Sequence, residues 1–258
     1  MFPNFLKFLK PELTLESEED YLAFFADPGP SFPGPCHPGH CYPGFISKRS
    51  YPCPGHSLLV PRSMFACCVL DGKIVVVAGG FTTCRRSVSG AEMYDLENDA
   101  WSSIPDLNRT HNSPCSGLVI GGRVHVLHKG LSTVQVLGSV KVGWEVKEYG
   151  WPQGPMAVVE DVVYVLIHGV VYKREEDETW KMVASASEFK LRIGMAMTCL
   201  SGEVLLVGGV IGPDRHWDVK PLSDVDVLTV GSDRPTWRKV APMTKCCGTV
   251  LGCTQLTI

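Results

Sequence analysis

An all-β architecture of repeated sheets is predicted by three observations. Paired apolar strands closed by a tight turn occur four times along the chain. The turns recur about every 40–50 residues, a period that suits propeller blades or a solenoid. The apolar runs are short, β-branched and bounded by glycine, which favours strand over buried helix.

Composition sets the outer limits. The chain has 258 residues, 45% of them apolar and 20% charged, so most of it is expected to be globular. A formal charge of −3 excludes the domain-scale basic excess of a nucleic-acid binder. Eleven cysteines, irregularly spaced and without a Cys-x-x-Cys, suit reduced thiols in the cytoplasm or nucleus. The apolar start MFPNFLKFLKP is too short for a signal sequence, and no apolar run is long enough for a bilayer span.

The elements follow in chain order. Ser17-Glu18-Glu19-Asp20 before Tyr21-Leu22-Ala23-Phe24-Phe25 predicts a short capped acidic helix. Residues 27–57 are rich in proline and glycine and predict disorder, making 1–57 an atypical N-terminal segment. Residues 58–258 carry the repeats. Their hairpin turns are expected at Asp71-Gly72, Gly121-Gly122, Glu160-Asp161 and Ser201-Gly202. The strand after each turn is apolar without a break, as in Ile74-Val75-Val76-Val77 and Val204-Leu205-Leu206-Val207. Such strands are expected to be buried on both faces. They run into Gly79-Gly80 and Gly208-Gly209, where crowded backbones and positive φ require glycine. Tyr94 falls on a third strand, and Trp101, seven residues later, opens a fourth. Trp144, Trp180 and Trp237 hold the matching place in the other segments, as wedges between neighbouring sheets.

Paired glycines, a tyrosine, then a tryptophan seven residues on resemble the kelch repeat. The second and third segments depart from it, with His128-Lys129-Gly130 and Ile167-His168-Gly169 in place of the glycine pair; the fourth has Val227 near the tyrosine position. Val60 to Cys68, HVLHKGLSTVQVL (His125 to Leu137), YGWPQGPM (Tyr149 to Met156) and GGVIGPDR (Gly208 to Arg215) resemble the plant F-box/kelch-repeat proteins of the Skp-interacting-partner group. The resemblance implies a kelch-type β-propeller of about four four-stranded blades that holds a substrate protein. It also implies an F-box docking on the Skp subunit of a cullin–RING ubiquitin ligase. Residues 1–57 do not read as an F-box, and the family's first kelch segments have no counterpart here. The expectation is therefore the propeller part of a longer product, in which a Skp-type partner enters only with an F-box. Gly248 to Ile258 is expected to be a closing strand that completes the first blade, in a strained or incomplete ring.

Partner binding is expected on loops held by the rigid sheets. One long loop carries Arg85 and Arg86; another carries Arg215, His216 and Trp217. Arg62, Arg109, His111 and Arg192 fall where one segment passes to the next. Arginine and tryptophan are common interface anchors, and basic loops suit an acidic or phosphorylated peptide. Solvated surface charge, or hydrogen bonds to nearby carbonyls, is the alternative for each residue.

No cofactor or metal is expected. Cys36, His37, His40, Cys41, Cys53 and His56 are suitable ligand types at unsuitable spacing for zinc. Some kelch propellers are metalloenzymes, including iron-dependent specifier proteins with a Glu-x₃-Asp-x₃-His triad. Here Glu16 and Asp20 are followed by Phe24, outside the repeats. The expected activity is protein binding without catalysis; a scaffold or competitor lacking the F-box and, more weakly, a metalloenzyme are the other readings.

Overall fold

The computed structural model describes residues 6–9, 20–26, 58–82, 84–212, 220–231, 234–243, 247 and 249–257. It divides into two units, Met1–Leu6 with Pro28–Trp151, and Lys7–Asp27 with Pro152–Ile258. Near the start lie β1 (Leu6–Leu9) and β2 (Asp20–Ala26). The first unit then forms one sheet from β3 (Ala66–Leu70), β4 (Ile74–Ala78), β5 (Ala91–Asp95) and β6 (Ala100–Ile104). A second follows from β7 (Cys115–Ile120), β8 (Arg123–His128), β9 (Thr133–Ser139) and β10 (Gly143–Glu148).

The other unit opens with a sheet of β11 (Met156–Val159), β12 (Val162–Ile167), β13 (Val170–Arg174) and β14 (Trp180–Ser185). After it come β15 (Arg192–Ile193), β16 (Ala196–Leu200), β17 (Glu203–Val207), β18 (Val210–Ile211), β19 (Lys220–Pro221), β20 (Val225–Thr229), β21 (Thr236–Val240) and β22 (Val250–Thr257). Strands β16, β17, β20 and β21 make the fourth four-stranded sheet, while β15, β18 and β19 make a small one beside it. All four larger sheets are antiparallel meanders with strands in chain order.

The turns form where the sequence places them. At Gly121-Gly122, Glu160-Asp161 and Ser201-Gly202 two residues join the strands, and both have positive φ. That combination is type I′, whose twist matches the flanking strands. The first hairpin has the same φ signs at Asp71 and Gly72, with Lys73 added before β4. The following strands β4, β8, β12 and β17 are buried almost end to end.

Sheet packing explains that burial. In the first unit β3 lies against β7, and Val76, Val124, Val126, Leu107 and Trp144 share one core. In the second, β11 lies against β16, and Tyr164, Val171, Val204, Leu206 and Leu228 pack with Trp237. The glycine pair lies where backbones converge. A Cβ on Gly80 would come 2.4 Å from the Ser63 carbonyl oxygen and 2.9 Å from Phe65 Cβ. Its φ of +87° adds a second reason for glycine.

The ends of the chain depart from expectation. Asp20–Ala26 is a strand rather than a helix, paired antiparallel with β22 from Asp20↔Thr257 to Ala26↔Val250. The first sheet already has four strands of its own, so β22 does not complete it. Instead β22 joins β2 and β1 in a separate three-stranded sheet. It lies against β16 as β16 lies against β11. Val250 N–H donates to the Gly194 carbonyl at 2.8 Å, as Cys115 N–H donates to Met64 at 2.9 Å where β7 begins. β22 thus stands to its own sheet as β16 stands to the fourth, an edge strand packed on the first strand of the sheet before it. Residues 27–57, including the cysteine–histidine cluster, lie outside the described residues.

Candidate functional site

The charged residues between segments divide into buried clamps and exposed loops. Arg62 is 1% exposed. Its guanidinium donates to the carbonyls of Val60, Gly79 and Gly90, and its Nη2 meets Glu92 Oε1 at 2.5 Å. Glu92 also accepts from Leu59 N at 2.7 Å and Val60 N at 3.0 Å. This network ties the entry into β3 to the ends of β4 and β5.

The second unit repeats it. Arg192 Nε donates to the Gly208 carbonyl at 2.6 Å, Nη1 meets Asp226 Oδ2 at 2.5 Å, and Nη2 donates to the Asp224 carbonyl at 3.1 Å. Arg192 is buried and was expected at a partner surface; the structure assigns it to this clamp instead. The reason is physical: a guanidinium held by the Gly208 and Asp224 carbonyls and the Asp226 carboxylate finds its donors satisfied and its charge neutralised within the fold.

The second sheet solves the same problem without charge. Gln135 faces Val126 in the register, as Glu92 faces Val77 and Asp226 faces Leu206. Its Oε1 accepts from Arg109 N at 3.0 Å, so its Nε2 is the donor to the Arg109 carbonyl at 2.7 Å. The same Nε2 lies 3.0 Å from His128 Nε2, which must therefore be the bare nitrogen. The proton sits on Nδ1, 3.4 Å from Cys115 Sγ. Burial, with His111 nearby, lowers the His128 pKa to about 4. His111 meets this ring edge-on at 4.6 Å between centroids, so it is turned partly into its own unit. The Arg109 side chain lies outside, 3.7 Å from Glu148 Oε1.

Arg85 and Arg86 are exposed on the loop between β4 and β5. The loop is braced by its own backbone: Thr82 N donates to Arg86 O and Arg85 N to Thr82 O, both at 2.9 Å. Arg85 has φ +55°. Cys84 is exposed beside them. Arg215, His216 and Trp217 lie outside the described residues. Among the described residues no group of three His, Cys, Asp or Glu side chains is placed to hold a metal ion.

The aromatic positions are structural. Tyr94 is buried opposite Trp101, with ring centroids 5.1 Å apart. Trp144 Nε1 donates 2.7 Å to the Pro105 carbonyl, which pins the second sheet to the segment leaving the first. Trp237 meets Phe189 edge-on at 4.8 Å. Trp180 opens β14 half-buried, opposite Arg174. The glycines also hold: Gly79, Gly80, Gly208 and Gly209 all have positive φ.

The clamp carboxylates Glu92 and Asp226 are not candidates on sequence pattern alone. The signal that would have found them is an arginine before each glycine pair with an acid just after the following loop. A further feature, the small sheet β15–β18–β19, has strands of two residues, too short for periodicity to show.

These features match known proteins. The Kelch motif family model fits residues 61–108. F-box/kelch-repeat protein SKIP30 of Arabidopsis thaliana is 79% identical over 206 residues, covering 80% of this chain and 58% of that protein. Another F-box/kelch-repeat protein of the same plant is 27% identical over 232 residues, covering 78% of this chain and 60% of its own length. The chain thus spans about three-fifths of these curated relatives. Among solved structures, that of YjhT superposes with a TM-score of 0.53 at 12% identity, over 74% of this chain and 68% of that one. Four antiparallel meander sheets, paired glycines, wedged tryptophans, the Kelch motif match and the SKIP30 match together show a kelch-repeat region similar to that of the plant F-box/kelch-repeat proteins.

Proposed function

We propose that this chain is the substrate-recognition part of an adaptor for a Skp–cullin–F-box ubiquitin ligase. The observation that supports this reading is the 79% identity to SKIP30 across the kelch region. The propeller sheets hold loops such as Thr82–Arg86 rigidly, and those loops grip a substrate protein. The exposed Arg85 and Arg86 favour an acidic or phosphorylated segment. A Skp-type subunit binds where the product carries an F-box. Without one, the same propeller acts as a scaffold or competitor that holds the substrate without ubiquitination.

Two measurements test this. The Arg85→Glu/Arg86→Glu variant is expected to lose binding of an acidic or phosphorylated peptide at least tenfold with an unchanged melting temperature. Both arginines are exposed, so their folding contribution is small. Unchanged peptide binding would remove the loop from the site. Pull-down of a purified Skp-type subunit by the longest in-frame product tests the ligase role. No retention there, with peptide binding intact, leaves the competitor.

A further inference from the structure

Three consecutive residues of the first unit, Arg85, Arg86 and Ser87, are exposed on the loop between β4 and β5. Among the described residues neither guanidinium meets a carboxylate, and the Ser87 hydroxyl has no hydrogen-bond partner. The position is nevertheless fixed. Ser87 bridges Phe81, flanked by Thr82 N–H to Arg86 O and Val88 N–H to Gly80 O, both at 2.9 Å. Arg85 N–H donates to the Thr82 carbonyl at 2.9 Å, and Arg85 then takes φ +55°. Glycine is the favoured residue after such a turn, because a Cβ is disfavoured at that φ. An arginine held in a strained conformation points to a use for its side chain.

The fold does not require a serine at position 87. In the fourth segment Ile193 pairs with Val210 and Val210 with Pro221, as Ser63 bridges Phe81 and Phe81 bridges Ser87. Proline, which has no hydroxyl, thus stands at the matching place. A serine preceded by two arginines is a charge pattern that serine kinases with acidic clefts select. Neighbouring serines lack one part of it. Ser63 is exposed and follows Arg62, but that guanidinium is enclosed by its clamp with Glu92. Ser89 lies three residues beyond Arg86, but its hydroxyl donates to Asp106 Oδ2 at 2.8 Å, and that carboxylate would repel a phosphate.

A phosphate on Ser87 would carry about two negative charges and three strong acceptor oxygens. Arg86 adjoins it, and the Arg85 Cα is at most ~7 Å away along the chain, a gap that a guanidinium on its flexible stem bridges. One phosphate facing two arginines leaves the loop close to neutral.

We infer that Ser87 is a phosphorylation site whose phosphate occupies Arg85 and Arg86 and so switches off the loop's grip on an acidic partner. The switching rests on the reading of this loop as a partner site; the modification and the pairing do not. In the transfer, Ser87 Oγ attacks the γ-phosphorus of ATP held by an arginine-directed kinase. The bond from that phosphorus to the β,γ-bridging oxygen breaks, ADP leaves with the electron pair, and the hydroxyl proton passes to the kinase's base.

The test treats the full chain with a panel of arginine-directed serine kinases, ATP and Mg²⁺, and locates the phosphate by peptide mass mapping. Ser87 is expected to be labelled at least tenfold over Ser63 and Ser89. Ser87→Ala is expected to lose the label with unchanged melting. Phosphorus NMR reads the pairing on a chain given phosphoserine at position 87 during translation, which bypasses the kinase. The second ionisation of an unpaired phosphoserine lies near pH ~6. It is expected to fall by roughly one unit in the parent and to return in Arg85→Gln/Arg86→Gln. Binding of a fluorescent peptide rich in Asp and Glu is expected to fall at least tenfold on phosphorylation and to recover after phosphatase treatment. No label on Ser87 from any kinase, or an ionisation that the arginines do not move, overturns the inference. So does unchanged peptide binding by the phosphorylated chain while Arg85→Glu/Arg86→Glu weakens it. If that double reversal itself leaves the peptide bound as before, the partner reading of the loop fails and takes the switch with it, while the label and the ionisation shift decide the modification on their own.

Discussion

Replacing Glu92 by glutamine keeps the side chain's shape and removes its charge. The consequence follows from the network around it. Glu92 receives Arg62 Nη2, Leu59 N and Val60 N, all three of them donors. A glutamine offers one oxygen and one NH₂, so a donor must face a donor at one of these contacts. Arg62, at 1% exposure, also keeps its charge without a counter-ion. Breaking a buried pair from one side costs ~3–5 kcal/mol. For a chain of this length each kcal/mol shifts the melting point by roughly 2–4 °C, so the expected drop is on the order of 10 °C. Urea unfolding and calorimetry at pH 7 measure it. Arg62→Met combined with Glu92→Leu removes the orphaned charge and is expected to be less destabilised than the sum of the two single changes by more than ~1 kcal/mol. It does not reach parental stability, because the Gly79 and Gly90 carbonyls lose the Arg62 guanidinium, Gly90 keeping only the Gly79 N–H among the described residues. The exposed pair Lys73–Glu97, at 2.6 Å with both side chains 65% exposed, serves as the contrast. Its removal is expected to leave the urea midpoint close to the parent's, because solvent screens an exposed pair. A Glu92→Gln variant within ~1 kcal/mol of the parent, or strict additivity in the double change, would refute the reasoning.

Other outcomes are expected from the same geometry. Gly80→Ala drives a Cβ into the Ser63 carbonyl, whereas Gly72→Ala, at φ +67°, meets no atom within 4 Å. Both variants carry backbone strain of about 1 kcal/mol. Only Gly80→Ala is expected to lose ~2 kcal/mol more, read as a difference in urea midpoints, and equal losses would deny the close approach. Acid sensitivity is expected from His128. Its folded pKa of about 4 lies below the ordinary value of 6.5, so the fold holds it neutral. Its contribution is complete above pH 6.5 and is lost as pH falls from there towards 4, by on the order of 2 kcal/mol. A His128→Gln variant is expected to show a flatter midpoint-against-pH curve over that window, and parallel curves would exclude the histidine as the cause.

Much of the architecture was legible because local chemistry and tertiary packing agree. Turn pairs such as Gly121-Gly122 and Ser201-Gly202 supply the positive φ that the hairpin twist needs. Unbroken runs such as Val204 to Val207 announce burial on both faces. Where the two disagree, sequence misleads. Asp20 to Phe25 carries a capping signature for a helix, yet extends because β22 offers it a full ladder of backbone hydrogen bonds. That partner lies at the far end of the chain, where no local window reaches it. The clamps were hidden for a related reason. Arg192 reads as a rim cation until Asp226 and the Gly208 carbonyl are brought to it in space. Arg85 and Arg86 stay exposed, since their loop closes on its own hydrogen bonds and, among the described residues, brings no distant carboxylate to them.

The β2–β22 ladder has a consequence for how the molecule is made. Asp20 leaves the ribosome before the hairpins between β3 and β21 and Thr257 after them, yet they are neighbours in one sheet. From its own emergence until β22 follows, β2 must wait with its β22 edge unmet, while the hairpins between close on themselves as they emerge. The interval between β2 and β22 is therefore when that open edge most needs a chaperone, and slowing translation lengthens the exposure.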